Sequence, residues 1–170
     1  MFQTNQILAI SLFFHLLATV IWVGGLILTT IMIWPEVRRT LQDKPDLYTM
    51  TNRLRKRFTP LGNLSLAVLI FTGLVQMSLD ENYKGFLDFS NTWSVVILLK
   101  HVAIAGMIAS GAILQYGIFP ALDRTSLLIE RNKGDTATWE SLRRREILLT
   151  WANALLGVAV LAFSAWAGVL

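Results

Sequence analysis

Four long runs of this sequence are almost free of charge. Ile7–Trp34, Leu61–Leu79, Trp93–Phe119 and Ile147–Leu170 hold between them a single ionised residue, Lys100. Each run is near or above the ~20 residues that a helix needs to cross a hydrocarbon core. Only 15% of the chain is charged, against about 25% in a soluble domain, and those charges crowd between the runs. The segregation predicts an all-α integral membrane protein, a single four-helix domain over 1–170, with helices at about 7–34, 60–79, 93–119 and 147–169.

The connecting segments predict how the helices sit. The 35–58 segment carries Arg38, Arg39, Lys44, Arg53, Arg55, Lys56 and Arg57, and the 121–146 segment carries Arg124, Arg131, Lys133, Arg143, Arg144 and Arg145. Between them, Asp80, Glu81 and Asp88 stand against Lys84. By the positive-inside rule both basic segments are cytoplasmic and both termini face outward. The expected architecture is therefore an up-down-up-down four-helix bundle, N-out and C-out, in which the first and third helices sit diagonally. The net charge of +4 is then topogenic, not a nucleic-acid surface. The absence of cysteine excludes disulfides, thiolate metal sites and cysteine nucleophiles. No Lys or Arg precedes the first apolar run, which is too long for an h-region, so a cleaved signal peptide is not expected.

Local signals set the expected boundaries. Trp34-Pro35 and Phe119-Pro120 should end two helices, because proline disfavours helical geometry in the residue before it. Thr59-Pro60 should open the second helix, where proline is tolerated. Trp93 and Tyr83 suit the outer interface, and Trp34 and Trp151 the inner one. Asn132-Lys133-Gly134-Asp135 reads as a loop tip.

At ~100° per residue each helix has one small or polar face and one apolar face. The face around His15 gathers Ser11, Ala18, Thr19, Trp22, Gly25 and Thr29. The second helix aligns Gly62, Ser65, Thr72, Gly73 and Gln76. The third aligns Ser94, Ala105, Ala112, Gln115 and Tyr116 with His101, and the fourth aligns Glu146, Thr150, Asn153, Gly157, Ser164 and Gly168. Membrane helices associate through small residues and hydrogen bonds, so these faces are expected to turn inward.

His15 and His101 are the two histidines of the chain. Each lies eight residues inside its run, counted from Ile7 and from Trp93. At 1.5 Å per residue both are ~12 Å below the outer boundary. Ionisable or metal-binding side chains inside a bilayer are costly and mark functional sites disproportionately. Two imidazoles facing each other from diagonal helices suit the axial positions of a b-type haem. In that reading Gly25 and Ala105 leave room for the macrocycle, and Trp22 packs along its edge. Lys100 snorkels outward or pairs with a haem propionate or a substrate carboxylate. Electrons would pass to or from quinone or a periplasmic acceptor. The alternative cofactor is copper, bound by His15 and His101 with Met77 or Met107, since thioether and imidazole ligands suit Cu(I). A third reading is a cofactor-free accessory subunit of a larger membrane complex. No catalytic nucleophile or acid–base pair stands out.

Several stretches resemble the CopD-like membrane proteins, named for the copper-resistance D component. They are His15-Leu-Leu-Ala-Thr-Val-Ile-Trp-Val-Gly-Gly-Leu26, Arg57-Phe58 leading to Phe71-Thr-Gly-Leu74, Leu98-Leu-Lys-His101 leading to Phe119-Pro-Ala-Leu122, and Leu142-Arg-Arg-Arg-Glu146. The resemblance implies a four-helix unit of the bacterial inner membrane linked to copper uptake or tolerance, with metal handling carried onto His15 and His101. More distantly, the chain is similar to the HemJ-type haem-binding membrane proteins. That similarity is carried by His15 and Trp22 and does not extend to their Pro-Arg-Leu segment.

Overall fold

A computed structural model describes residues 2–41, 46–81, 83, 85, 91–131 and 133–170. Lys44, Lys84, Asp88 and Asn132, used above in reading the connections, lie outside the described residues. The described chain is helical: α1 (Phe2–Thr19), α2 (Gly25–Leu28), α3 (Trp34–Leu41), α4 (Asp46–Ser78), α5 (Thr92–Ala112), α6 (Phe119–Glu130) and α7 (Thr136–Ala167). Wider π-helical turns at Val20–Gly24 and Thr29–Ile33 join α1, α2 and α3, and another at Ile113–Ile118 joins α5 to α6. Four stretches are long and apolar enough to cross a membrane: Thr4–Val37, Asn52–Ser78, Thr92–Glu130 and Thr136–Ala167. They are called spans one to four below. Within lipid a helix satisfies its own backbone groups, which is what these water-poor segments require.

The helices run further than the prolines imply. Pro35 and Pro120 end nothing, because each falls in the first turn of an α-helix that restarts after a π-helical turn. In a first turn the missing N–H has no partner to lose. Pro60 does not open α4 but lies inside it. Beside that break the Thr59 hydroxyl donates to the Arg55 carbonyl at 2.9 Å, the kind of side-chain bond that lets membrane helices tolerate proline. The basic 35–58 segment is thus largely helical, and α7 begins at Thr136, about three turns before the apolar run at Ile147.

Spans one and two meet through polar and small residues. The Ser11 hydroxyl donates to the Thr72 carbonyl at 3.2 Å, and Gln76 Nε2 donates to Ser11 Oγ at 3.4 Å. Further along, Gly62 lies under the Trp22 ring, where a Cβ would stand 3.8 Å from Trp22 Cδ1. Spans three and four join through the Ser110 hydroxyl donating to Asn153 Oδ1 at 2.7 Å, and through Gly157, which admits Met107 and Val23. An apolar cluster of Leu114, Ile118, Leu122 and Trp139 closes the α6 end of this pair. Elsewhere large apolar side chains such as Phe13, Leu16, Val102 and Leu148 point outward along every span, the surface expected where lipid is the solvent.

The third span overturns one expectation. Its buried face is the apolar line of Val96, Ala103, Met107 and Leu114, while Ala105, Ala112 and Tyr116 are exposed, Tyr116 at 78%. His101 lies roughly 120–160° round the helix from Ala103 and Met107. Met107 packs against Gly157 of span four, and close packing on small residues is one of the forces that associate helices in lipid. Trp93, expected in an interfacial belt, is likewise buried.

Candidate functional site

His101 borders a cavity of about 30 Å³. Met77 reaches it from the end of α4, Tyr83 and Gly85 from the segment after it, and Trp93, Ser94, Ile97 and Leu98 from the first turns of α5. Asn91 starts α5 here, its side chain accepting the Ser94 N–H at 2.7 Å. That cap fixes where the first turn of α5 begins, and so where Trp93 and Ser94 sit. Ser94 is 8% exposed, and its hydroxyl has no hydrogen-bond partner among the described residues. His101 Nδ1 donates to the Ile97 carbonyl at 2.7 Å.

His15 is held elsewhere. Its Nδ1 stands 2.8 Å from Thr72 Oγ1. The Thr72 hydroxyl donates to the Val68 carbonyl at 2.6 Å, so the imidazole is the donor to the hydroxyl oxygen. The ring packs against span two: a Cβ on Gly73 would meet His15 Cε1 at 3.6 Å. Trp22 packs on Gly62 of the same span, and a Cβ on Gly25 would meet nothing. Lys100 is half-buried. The structure therefore brings His15 and Trp22 against span two, and His101 to a separate cavity that Met77 also lines.

At the opposite end of span two, four charged side chains form a cluster. Arg55 of α4 donates to Asp123 of α6 at 2.8 Å and to Glu146 of α7 at 3.5 Å, and Arg143 donates to the other oxygen of Glu146. The Arg55 guanidinium lies 4.6 Å over the Phe119 ring, and that of Arg143 lies 3.2 Å over the Trp34 ring. Arg55 also bonds Asn52, whose amide reaches Ser126. Spans two, three and four, with Trp34 of the first, are tied together by these contacts. Arg and carboxylate groups are this far buried only when paired and hydrogen-bonded.

The geometry acquires a context from comparison with known sequences. Residues 52–167 match the family of copper resistance protein D, CopD. The chain belongs to that family. No curated protein and no solved structure matches it. The CopD match begins at Asn52, so it contains Met77, Lys100, His101 and Ala105 together with the whole charged cluster. His15, Trp22 and Gly25 fall outside it.

The packing of this CopD member does not fit a b-type haem between His15 and His101. His15 is closed onto Thr72 and Gly73, and the cavity at His101 is not lined by His15. At about 30 Å³ that cavity is an order of magnitude below the ~300–1,000 Å³ of pockets that hold drug-sized ligands. Ala105, expected to make room for the macrocycle, faces outward. Met107, weighed as a copper ligand, is fully buried against Gly157 as a packing residue. No group of three or more His, Cys, Asp or Glu converges among the described residues.

Sequence reasoning missed the charged cluster because it counted Arg55 and Arg143 as topogenic charges. One signal was available: Glu146 follows three arginines on a helix and lies three residues from Arg143, the spacing of facing neighbours. The Met77–His101 juxtaposition had no such local signal, because it depends on the end of α4 and the first turns of α5 lining one cavity.

Proposed function

We propose that this chain is a multi-pass component of bacterial inner-membrane copper handling, which carries copper across the bilayer or passes it on within the membrane. The observation that carries this reading is the CopD match, which runs unbroken through the second, third and fourth spans. In this reading the four spans form an up-down-up-down bundle with both termini outside. The pairings Ser11 with Gln76, His15 with Thr72 and Trp22 with Gly62 support it, since one span descends in number as the other rises. The orientation follows from the arginine-rich ends of α4 and α7, which belong on the cytoplasmic side. The His101 cavity then opens toward the outer face.

The test is a strain lacking the chain, compared with the same strain complemented. Cellular copper is measured by mass spectrometry across a copper series, with iron and zinc as references. Copper content and copper tolerance are expected to shift together on deletion and to return on complementation, with iron and zinc unchanged. If copper content and growth on copper match the parent strain throughout, the reading fails.

A further inference from the structure

We infer that the outward face of α4, from Arg53 to Phe71, binds an anionic glycerophospholipid. Its phosphate lies on Arg53, Lys56 and Arg57, its glycerol ester beside Asn63, and an acyl chain along Leu64 and Phe71. This site is independent of the copper reading and needs only that span two lies in a bilayer.

Four cations stand close together in this stretch, and the helix divides them. At ~100° per residue, Arg53, Lys56 and Arg57 fall within ~100° of arc, and all three are exposed. Arg55 lies ~160° round from Arg53 and is buried in the charged cluster. One cation therefore holds the bundle together while three form a patch on its outside. Orienting a span requires only that Lys and Arg stand on one side of it. Gathering them on one face is a further property, and it lets several charge-assisted hydrogen bonds reach the same phosphate.

The same face continues into the apolar run. Leu64 and Phe71 lie within ~20° of Arg53 round the helix, and both point outward. Asn63 comes between them and the cations. It lies ~20° round from Lys56 and ~10 Å further along the axis, and it too is exposed. Its amide has no hydrogen-bond partner among the described residues. The other polar side chains of this span behave differently: Ser65 and Thr72 are buried, and Gln76 donates to Ser11. An amide turned toward lipid without a partner is costly, and an ester carbonyl would accept its N–H.

A glycerophospholipid offers the matching groups in the matching order: phosphate at the surface, ester carbonyls beneath it, hydrocarbon below. A soluble acidic partner would meet the cations and leave Asn63, Leu64 and Phe71 uncovered. A second copy of the chain packed on this face would set its own three cations against these. The anionic lipid alone complements both the charge and the apolar line.

The test uses the full chain purified in mild detergent. Native mass spectrometry measures retention of phosphatidylglycerol and phosphatidylcholine with the same acyl chains. Phosphatidylglycerol is expected to be preferred. Arg53→Gln/Lys56→Gln/Arg57→Gln lowers that preference by roughly tenfold or more, since each basic side chain near a membrane surface contributes about fivefold to binding anionic lipid. Arg144→Gln/Arg145→Gln removes two exposed cations of α7 and keeps the preference. Asn63→Leu weakens retention of ester-linked phosphatidylglycerol but not of the ether-linked analogue, which has no carbonyl to accept the amide. Glycerol phosphate at the same concentration does not displace the lipid. Gel filtration and circular dichroism confirm that each variant is folded. A parent protein that retains both lipids equally overturns the site, as does a triple variant with undiminished preference. Equal loss in the α7 variant overturns it too, since net charge would then explain the binding. Displacement by glycerol phosphate would make the ligand a free anion, and a lipid-independent dimer abolished by Asn63→Leu would make it a second copy; either result overturns the lipid assignment.

Discussion

Glu146 is the side chain on which the charged cluster turns. It is 4% exposed and accepts from both Arg55 and Arg143, whose side chains are nearly as deeply buried. Replacing it by leucine removes the carboxylate from two guanidiniums at once while keeping similar bulk. Deleting one partner of a buried pair typically costs about 3–5 kcal/mol, because the charge left behind stays desolvated. Asp123 provides the internal comparison. Its side chain is 35% exposed, so water screens the loss, and Asp123→Asn should cost about 1 kcal/mol or less. The double variant Glu146→Leu/Arg143→Leu should be more stable than Glu146→Leu alone, since replacing both members of a buried pair by apolar residues is often close to neutral. Arg55 keeps Asp123 in that background. The assay is reversible unfolding in mixed micelles by increasing denaturing detergent, followed by tryptophan fluorescence and circular dichroism, with the variants arranged as a double-mutant cycle. A Glu146→Leu protein no less stable than Asp123→Asn would refute the reasoning. So would a double variant as unstable as the sum of its two single changes.

Two further predictions concern the start of span four. At Gly134 an added Cβ would fall 2.5 Å from the Ile129 nitrogen and 2.8 Å from the Leu128 carbonyl carbon, backbone atoms held by the Lys133 N–H donating to the Leu128 carbonyl. Gly134→Ala should therefore lower stability by about 1–3 kcal/mol, as overpacking does, and an unchanged unfolding midpoint would contradict it. Asp135 caps α7, its carboxylate accepting from the Ala137 and Thr138 N–H groups and from the Thr138 hydroxyl. The Thr138 hydroxyl above all, with the backbone bonds, holds the Asp135 carboxyl below its ordinary range. Its stabilisation is thus complete above the unfolded aspartate value of about 3.9 and is lost as pH falls through the lower folded value. Asp135→Ala should reduce stability at neutral pH and flatten this part of the acid limb. Parallel acid titrations of parent and variant, followed by helicity, would expose an error if the two curves stayed parallel.

The class of the fold was legible because lipid acts on composition before it acts on contacts. A run such as Ile7–Trp34 has few alternatives to a spanning helix whatever its neighbours are, and each span found contains most or all of one charge-poor run. Helix extent was less legible. Pro35, Pro60 and Pro120 read as boundaries, yet π-helical turns and a threonine hydroxyl absorb each of them, and those compensations depend on the backbone register of the preceding turn. The small and polar stripes identified real contacts for Ser11, Thr72, Ser110 and Asn153 but misplaced the His101 stripe, whose alanines face outward.

The sequence by itself determined that four apolar helices must lie in a membrane, since no other solvent suits runs so poor in charge. It also showed that His15 and His101 are unusual within them. Only the tertiary structure decided which partner each histidine has: Thr72 for one and a cavity shared with Met77 for the other. Only it converted Arg55, Arg143, Asp123 and Glu146 from loop charges into a buried network. The physical reason is common to both. A charge pattern is a sum along the chain, whereas a shared cavity or a buried ion pair exists only where separate helices bring their side chains together.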